Sequence, residues 1–188
     1  MKIITTPHPT LKKKTPVITI WTDKLQQQAD EMIHILRHTS DPEGIGLAAP
    51  QVNLSKRFFI LLLDGTPTIY INPTVTKSST KMLSEKYKKP EKRFLEGCLS
   101  IPLLWGFVDR PFKVTLKYQT PEKIDGKWQL ISHTQNYSDQ FSSYVQHERD
   151  HLNGILFTDH ILQQKGTIFK ETSRGLEPVS LWSLKRKI

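Results

Sequence analysis

The chain is organised around one stretch, Gln146-His147-Glu148-Arg149-Asp150-His151-Leu152. His147 and His151 are four residues apart, so on a helix they share one face and their imidazoles can bind the same metal ion. Glu148 lies about 100° round the helix from His147, so its carboxylate would lie next to the ion without being one of its ligands. A carboxylate in that place can accept a proton from a water molecule. The alternative interpretation is a charged helix whose histidines are merely solvated.

Two histidines leave a divalent metal short of protein ligands, so a third ligand must come from elsewhere in the chain. His160 follows His151 by nine residues and lies beyond Gly154, too late for the metzincin spacing. Cys98 is the better candidate, because a thiolate binds zinc or ferrous iron strongly. The neighbouring Gly97 would let a backbone lie close to the ion.

Length predicts a single domain over residues 1–188, with residues 162–188 as a basic C-terminal extension. The metal motif and its carboxylate indicate that this domain is catalytic. Hydrophobic residues make up 37% of the chain, and no apolar run approaches the roughly 20 residues of a membrane helix. The N-terminus has no apolar signal-peptide core. The lone cysteine suits a reducing compartment. We therefore expect a cytoplasmic protein.

The formal net charge is +9, and basic residues gather at 12–14, 86–93 and 185–187. One interpretation is a solvated surface. The more specific interpretation is that the basic residues attract a polyanion, most simply RNA. The aromatic pattern typical of base stacking is missing, so specific nucleic-acid recognition is not supported.

Hydrophobic periodicity predicts two long helices. The first begins at Thr22 or Asp23 and runs to about His38; the second runs from Ser138 to near Gly154 and carries the metal motif. The buried stripe of the first helix is predicted to be Leu25, Ala29, Met32, Ile33 and Leu36. On the same helix, His34 and His38 are interpreted as surface histidines.

Strand patterns form two hairpins, each with an Asp-Gly turn. The first joins residues 57–63 to 68–71, and the second joins 113–119 to 127–133. Residues 73–94 are polar and lysine-rich, and we expect a loop with weak strand content. Strands followed by a buried helix favour an α+β fold.

Residues 44–51 read Gly-Ile-Gly-Leu-Ala-Ala-Pro-Gln. Glycines and alanines of this kind let another backbone approach closely. A phosphate-binding loop is the rival interpretation, but the third glycine, the lysine and the following helix pattern are missing.

Three motifs together resemble those of the peptide deformylases, in the same order along the chain. They are residues 44–51, 96–100 and 146–151, and the resemblance spans roughly residues 5–160. It implies an α+β fold in which mixed or antiparallel sheets pack around a central metal-binding helix. The family pattern also suggests an ion pair between Glu96 and Arg110, with ordinary surface charges as the alternative.

The resemblance implies hydrolysis of the formyl group on the N-terminal formyl-methionine of nascent polypeptides. One divalent ion, Fe²⁺ in the cell with Zn²⁺, Ni²⁺ or Co²⁺ as replacements, would have three ligands: Cys98, His147 and His151. Metal-bound water would attack the formyl carbon, with Glu148 as general base and then acid. The Gln51 side chain and the Leu99 backbone N–H would donate hydrogen bonds to the oxyanion.

The peptide would lie extended near Ile45 and Gly46, as an added strand. The expected substrate-binding residues are Ile45, Gly46, Gly97, Trp105 and Tyr144. The chain departs from the family at Leu103, where glycine or a polar residue is usual, and at Trp105, where arginine is common. Tyr144 stands where the family tends to have a small residue near the methionine pocket. We therefore expect methionine side chains to fit less freely here.

The basic residues 185–187 could dock the protein on the ribosome; neither a membrane nor specific DNA is an expected partner. One alternative function is a catalytically altered, deformylase-like protein associated with the ribosome or RNA. The presence of Glu148 and Gln51 argues against it, since a purely structural site needs neither. Another alternative is a peptidase acting within chains, which the Cys98 ligand and Gln51 oppose.

Overall fold

The computed structural model of the chain describes residues 1–39 and 44–179. Its helices are α1 (Asp23–Arg37), α2 (Leu83–Lys86), α3 (Gln140–His151) and α4 (Phe157–Gln163). Its strands are β1 (Gly46–Ala48), β2 (Phe58–Leu63), β3 (Thr66–Ser78), β4 (Glu96–Cys98), β5 (Ile101–Gly106), β6 (Lys113–Ile124), β7 (Lys127–Ser138), β8 (Ile168–Thr172) and β9 (Gly175–Val179). Short 3-10 turns occupy Pro9–Lys12, Ala49–Val52 and Pro90–Lys92.

The strands form two separate sheets, with the orders β1-β2-β3-β6-β7 and β4-β5-β8-β9. The pairings between their strands are antiparallel. Helices and antiparallel sheets of this kind confirm the predicted α+β fold. None of the helices in the described part of the chain has the length and apolar character that a membrane crossing requires. The expected cytoplasmic location stays a prediction.

Helix α1 confirms its predicted start and buried stripe. The Thr22 hydroxyl accepts a hydrogen bond from the Leu25 backbone N–H at 3.2 Å, which caps the helix. Four of the five predicted stripe residues are buried and pack on Phe58 and Ile60 of β2, while Ile33 is partly buried at the edge. His34 and His38 are exposed, as expected.

Both predicted hairpins are present, and each turns on an Asp-Gly pair with positive φ at both residues. That geometry matches the twist of antiparallel strands. The loop predicted for residues 73–94 is wrong over its first part, because β3 continues to Ser78. Thr74 and Val75 pair with Lys117 and Leu116 of β6. The pairing with β6 stabilises a strand that the polar local sequence does not predict.

Helix α3 lies between the two sheets. Val145 and Leu152 pack into a cluster with Phe59 and Leu61 of β2 and with residues of β6 and β7. On its other side, the helix faces β4 through a hydrogen bond between His147 Nδ1 and a carboxylate oxygen of Glu96, 2.8 Å long. The metal motif is therefore held between two sheets rather than on an exposed face.

A buried ionic network joins β4, α3 and α4. The Arg110 guanidinium donates two hydrogen bonds to Glu96, at 2.6 and 3.0 Å, and one to Asp150 at 2.7 Å. His160, whose Nε2 lies 2.8 Å from the same Asp150 carboxylate, extends the network to α4. Arg110 and both carboxylates are buried. This confirms the Glu96–Arg110 ion pair and excludes the alternative of surface charges.

The β8–β9 hairpin occupies much of the predicted C-terminal extension. Leu104 and Gly106 of β5 pair with Lys170 and Ile168 of β8. The extension is thus part of the second sheet over this range. Residues 180–188, which include the basic group at 185–187, lie outside the described residues, and the boundary at 162 stays a prediction.

Gly154 provides a test of how the N-terminal segment around Lys12 and Lys13, called here the N-terminal arm, packs against the end of α3. Its φ is +72°, and a Cβ there would lie 2.5 Å from the carbonyl of Lys12 and 2.9 Å from the Lys13 nitrogen. Gly126 has φ +76° with open space around it. We expect Gly126→Ala to cost about 1 kcal/mol from backbone strain alone. Gly154→Ala should cost about 2 kcal/mol more, because backbone must also move.

Denaturant-induced unfolding of both variants measures this difference in the free energy of unfolding, provided that the two variants have equal m values. Equal losses in the two variants would show that the arm does not constrain Gly154.

Candidate metal centre and active site

Two elements bring the three proposed metal ligands together. Helix α3 presents His147 and His151 one turn apart on a single face, as their spacing requires. Strand β4 ends at Cys98, whose Sγ lies 3.3 Å from His151 Nε2. The ligand atoms of the three residues lie within 4.8 Å of one another. Within the described part of the chain, Cys98, His147 and His151 therefore form one cluster.

The donor atoms of this cluster fit a divalent transition metal. One sulfur and two imidazole nitrogens are ligands that zinc and ferrous iron accept, and three protein ligands leave a position open. The hydrogen bond between His147 Nδ1 and Glu96 leaves His147 Nε2 for an ion, and a carboxylate that orients a histidine ligand in this way is common around bound metals. Glu148 Oε2 is buried without a hydrogen-bond partner among the described residues. A polar group held next to an ion would explain that unpaired oxygen.

The surroundings of Cys98 favour its thiolate. Burial raises the pKa of the thiol, but electrostatic interaction with His151 and hydrogen bonding to His147 outweigh that effect and lower the pKa to about 5. A thiolate is the form of cysteine that binds metals. Cys98 is therefore suited to be a ligand rather than an inert buried thiol.

Glu148 is buried beside the ligands rather than among them. Burial raises the pKa of its carboxyl to about 7, against the lowering effect of His147 and His151. Gly46 of β1 lies against this carboxylate, and a methyl group at that position would overlap it. The glycine thus leaves room for the Glu148 side chain. The expected close approach of a peptide backbone at this position stays a prediction.

The Gln51 amide is oriented toward the metal ligands. Its Oε1 accepts a hydrogen bond from the Ala48 backbone N–H at 2.8 Å, which fixes the direction of the amide. The Nε2 group then points to Cys98 Sγ, 3.4 Å away, and to Ser100 Oγ, 3.3 Å away. Gln51 is 1% exposed, which excludes a simple surface amide. Its amide nitrogen therefore lies beside the cluster as a hydrogen-bond donor.

A cavity of about 300 Å³, the metal cavity, opens onto this group. It is lined by Cys98, His147, Glu148, Gln51 and Leu99, and by the five expected substrate-binding residues Ile45, Gly46, Gly97, Trp105 and Tyr144. His151 lies behind this wall, against Cys98.

Sequence reasoning missed several residues of the metal cavity. Leu61, Phe94, Leu95, Gln140 and Ser143 also line it. Leu61 belongs to a strand that is apolar throughout, so no local pattern separates a pocket wall from the core. Ser143 could have been found from its place one turn before His147, on the face of α3 that meets Glu96.

Comparison with known proteins agrees with this geometry. The sequence model of the polypeptide deformylase family matches residues 1–167. A peptide deformylase of Rhizobium meliloti is 37% identical over 171 residues, which cover 87% of this chain and 86% of that protein. One from Desulfotalea psychrophila is 33% identical over 177 residues, covering 91% and 93%.

Solved structures agree on the fold. The crystal structure of peptide deformylase from Thermotoga maritima superposes with a TM-score of 0.70 at 29% identity, covering 85% of this chain and 95% of that one. The family match spans nearly the whole chain and includes all three ligand positions. The chain therefore belongs to the polypeptide deformylase family of metal-dependent hydrolases.

Proposed function

We propose that this protein removes the formyl group from the N-terminal formyl-methionine of nascent polypeptides. The observation that carries the proposal is the convergence of Cys98, His147 and His151 in one cluster, with the buried carboxyl of Glu148 beside it in the metal cavity. A site that only stabilised the fold would need no acid of raised pKa beside its ligands.

Cys98, His147 and His151 would hold one divalent ion, which we propose to be Fe²⁺ in the cell. When bound, the ion supplies Lewis acidity, which lowers the pKa of a coordinated water toward neutrality. Glu96 orients His147 through Nδ1, and Glu96 is itself held by Arg110. The ligand geometry therefore rests on the buried ionic network.

Glu148 is the proposed general base and acid. With a pKa of about 7, its carboxylate can accept a proton from the attacking water and release it near neutral pH. That proton goes to the amine nitrogen as the bond between it and the formyl carbon breaks, giving formate and a free N-terminus. Burial keeps the proton transfer away from bulk solvent.

Gln51 and the Leu99 backbone N–H are the proposed oxyanion donors. Negative charge develops on the formyl oxygen when water attacks, and preorganised donors stabilise it. The hydrogen bond from the Ala48 backbone N–H orients the Gln51 amide so that its nitrogen lies beside Cys98 Sγ, at the wall of the metal cavity. Leu99 lines the same cavity directly after Cys98.

The peptide is proposed to lie along Ile45 and Gly46, at the free edge of the first sheet, since β1 is the outermost strand there. Gly97, Trp105 and Tyr144 form other parts of the cavity wall. The ribosome- or RNA-associated alternative has less support, because both Glu148 and Gln51 are buried and directed at the cavity.

Glu148→Gln tests the proposed chemistry, since it keeps the shape of the side chain but cannot accept the proton. We expect formate release from formyl-Met-Ala-Ser to fall by about 10²–10⁴-fold in kcat. Metal content should stay near that of the unchanged protein, because Glu148 is not a ligand. Cys98→Ala, the matched control, should lose both the metal and the activity. A Glu148→Gln protein with bound metal and a tenth or more of the original kcat would contradict the proposal.

Tyr144→Ala tests the expectation that methionine fits less freely in this protein. Tyr144 lines the cavity, and its ring contacts that of Phe141 edge-on, with centroids 6.2 Å apart. Removing the ring should raise kcat/KM for formyl-Met-Ala-Ser several-fold by widening the pocket. Phe141→Ala, outside the cavity wall, is the control. Unimproved or reduced turnover in Tyr144→Ala would count against a restricted methionine pocket.

Ribosome docking through the basic residues 185–187 is a separate proposal that rests on charge alone. Deleting residues 183–188 should reduce co-sedimentation with ribosomes at low salt, where contacts with phosphates are strongest. Hydrolysis of formyl-Met-Ala-Ser should not change. Unaltered co-sedimentation would exclude the tail as the docking element.

A further inference from the structure

The β8–β9 hairpin begins at Ile168, one residue after the region that the family model matches. It pairs with β5, and Phe169 lies directly opposite Trp105 in the register. Trp105 lines the metal cavity. The hairpin is therefore attached to the strand that supplies one wall of the proposed substrate site.

Trp105 is held in place from two sides. Its indole Nε1 donates a hydrogen bond to Glu171 Oε2 on the hairpin, 2.9 Å away. Its ring also lies against Gly97, where a Cβ would be 2.6 Å from Cζ3 of the indole. A buried face and a bonded N–H leave the ring little freedom to rotate. Glu171 thus sets the position of a residue in the cavity wall.

A groove runs from Trp105 along the hairpin. This hairpin groove is lined by Leu95, Trp105, Glu171, Thr172, Gly175 and Leu176. Two of its residues, Leu95 and Trp105, also line the metal cavity, so the groove and the cavity share a wall. Leu176 is 46% exposed, and with Leu95 and the indole it makes the groove wall largely apolar.

We propose that the hairpin groove binds the part of the substrate peptide that follows the formyl-methionine, and that it prefers an apolar side chain there. This inference rests on the proposed deformylase function. Leu176 and Trp105 determine the preference by direct contact, and Glu171 is a positioning residue that acts through the indole. The occupant is the peptide itself, because the groove adjoins, through Leu95 and Trp105, the cavity in which its formyl end is proposed to react.

The test uses formyl-Met-Ala-Ser-Ala and two series of three derivatives. Leucine replaces the second, third or fourth residue in turn in one series, and lysine does so in the other. In the unchanged enzyme, leucine at one of these positions should raise kcat/KM about fivefold, as expected for an isobutyl group only partly removed from water. The change should appear in KM rather than kcat, because this contact is equal in the ground and transition states.

Four variants separate the possible causes of that preference. Leu176→Ser removes the apolar wall, and Glu171→Ala releases the indole; both should bring the ratio of kcat/KM between the leucine peptide and its parent toward one. Glu171→Gln keeps a hydrogen-bond acceptor and should retain the preference. Lys170→Ala, on the opposite face of β8, should change nothing. Unfolding midpoints show whether each variant is folded.

The inference is overturned if no leucine derivative is preferred, or if Leu176→Ser and Glu171→Ala keep the full preference. It is also overturned if lysine derivatives are preferred and Glu171→Gln abolishes that preference, since the groove would then recognise charge. In each of these cases formate release continues and the proposed function stands. An enzyme with bound metal that releases no formate from any peptide would remove both proposals together.

Discussion

One buried carboxylate, that of Glu96, holds strand β4, which carries Cys98, against helix α3, which carries the two histidines. Its oxygens accept hydrogen bonds from Arg110, from Ser143 Oγ at 2.7 Å and from His147 Nδ1. Burial raises the pKa of Glu96, but Arg110 and His147 outweigh it and hold the pKa well below its usual range. The carboxylate therefore stays charged between β4 and α3. Because Cys98 is on the same short strand, this interaction also fixes the thiol beside the two histidines.

Two glycines make room for the side chains that shape the cavity. Gly46 leaves space for the carboxylate of Glu148, and Gly97 leaves space for the indole of Trp105. Each glycine lies on a short strand, β1 or β4, at the end of its sheet. A free strand edge can pair with an extended peptide, and the two glycines let the Glu148 and Trp105 side chains lie close to these edges. The cavity is therefore bounded by one edge of each sheet, with α3 between them.

Local patterns predicted much of this protein because they depend on residues close in sequence. The stripe of α1, the Asp-Gly turns and the spacing of His147 and His151 follow from helix and strand periodicity. Residues 73–78 escaped prediction, since their strand exists only through pairing with β6. Leu61 and Leu95 were missed as cavity residues, because an apolar side chain looks the same in a wall as in a core.

The sequence by itself determined the chemical groups and the helix that carries two of them, because a four-residue spacing acts within one turn of backbone. It also named Cys98 as the third ligand, on the strength of thiolate chemistry and family resemblance. Only the tertiary structure decided that Cys98 meets His151, since the packing of β4 against α3 closes a separation of 53 residues. The same is true of Glu171 and Trp105, 66 residues apart, which meet because β8 pairs with β5. Contacts between distant segments depend on the whole pattern of packing, which no local spacing encodes.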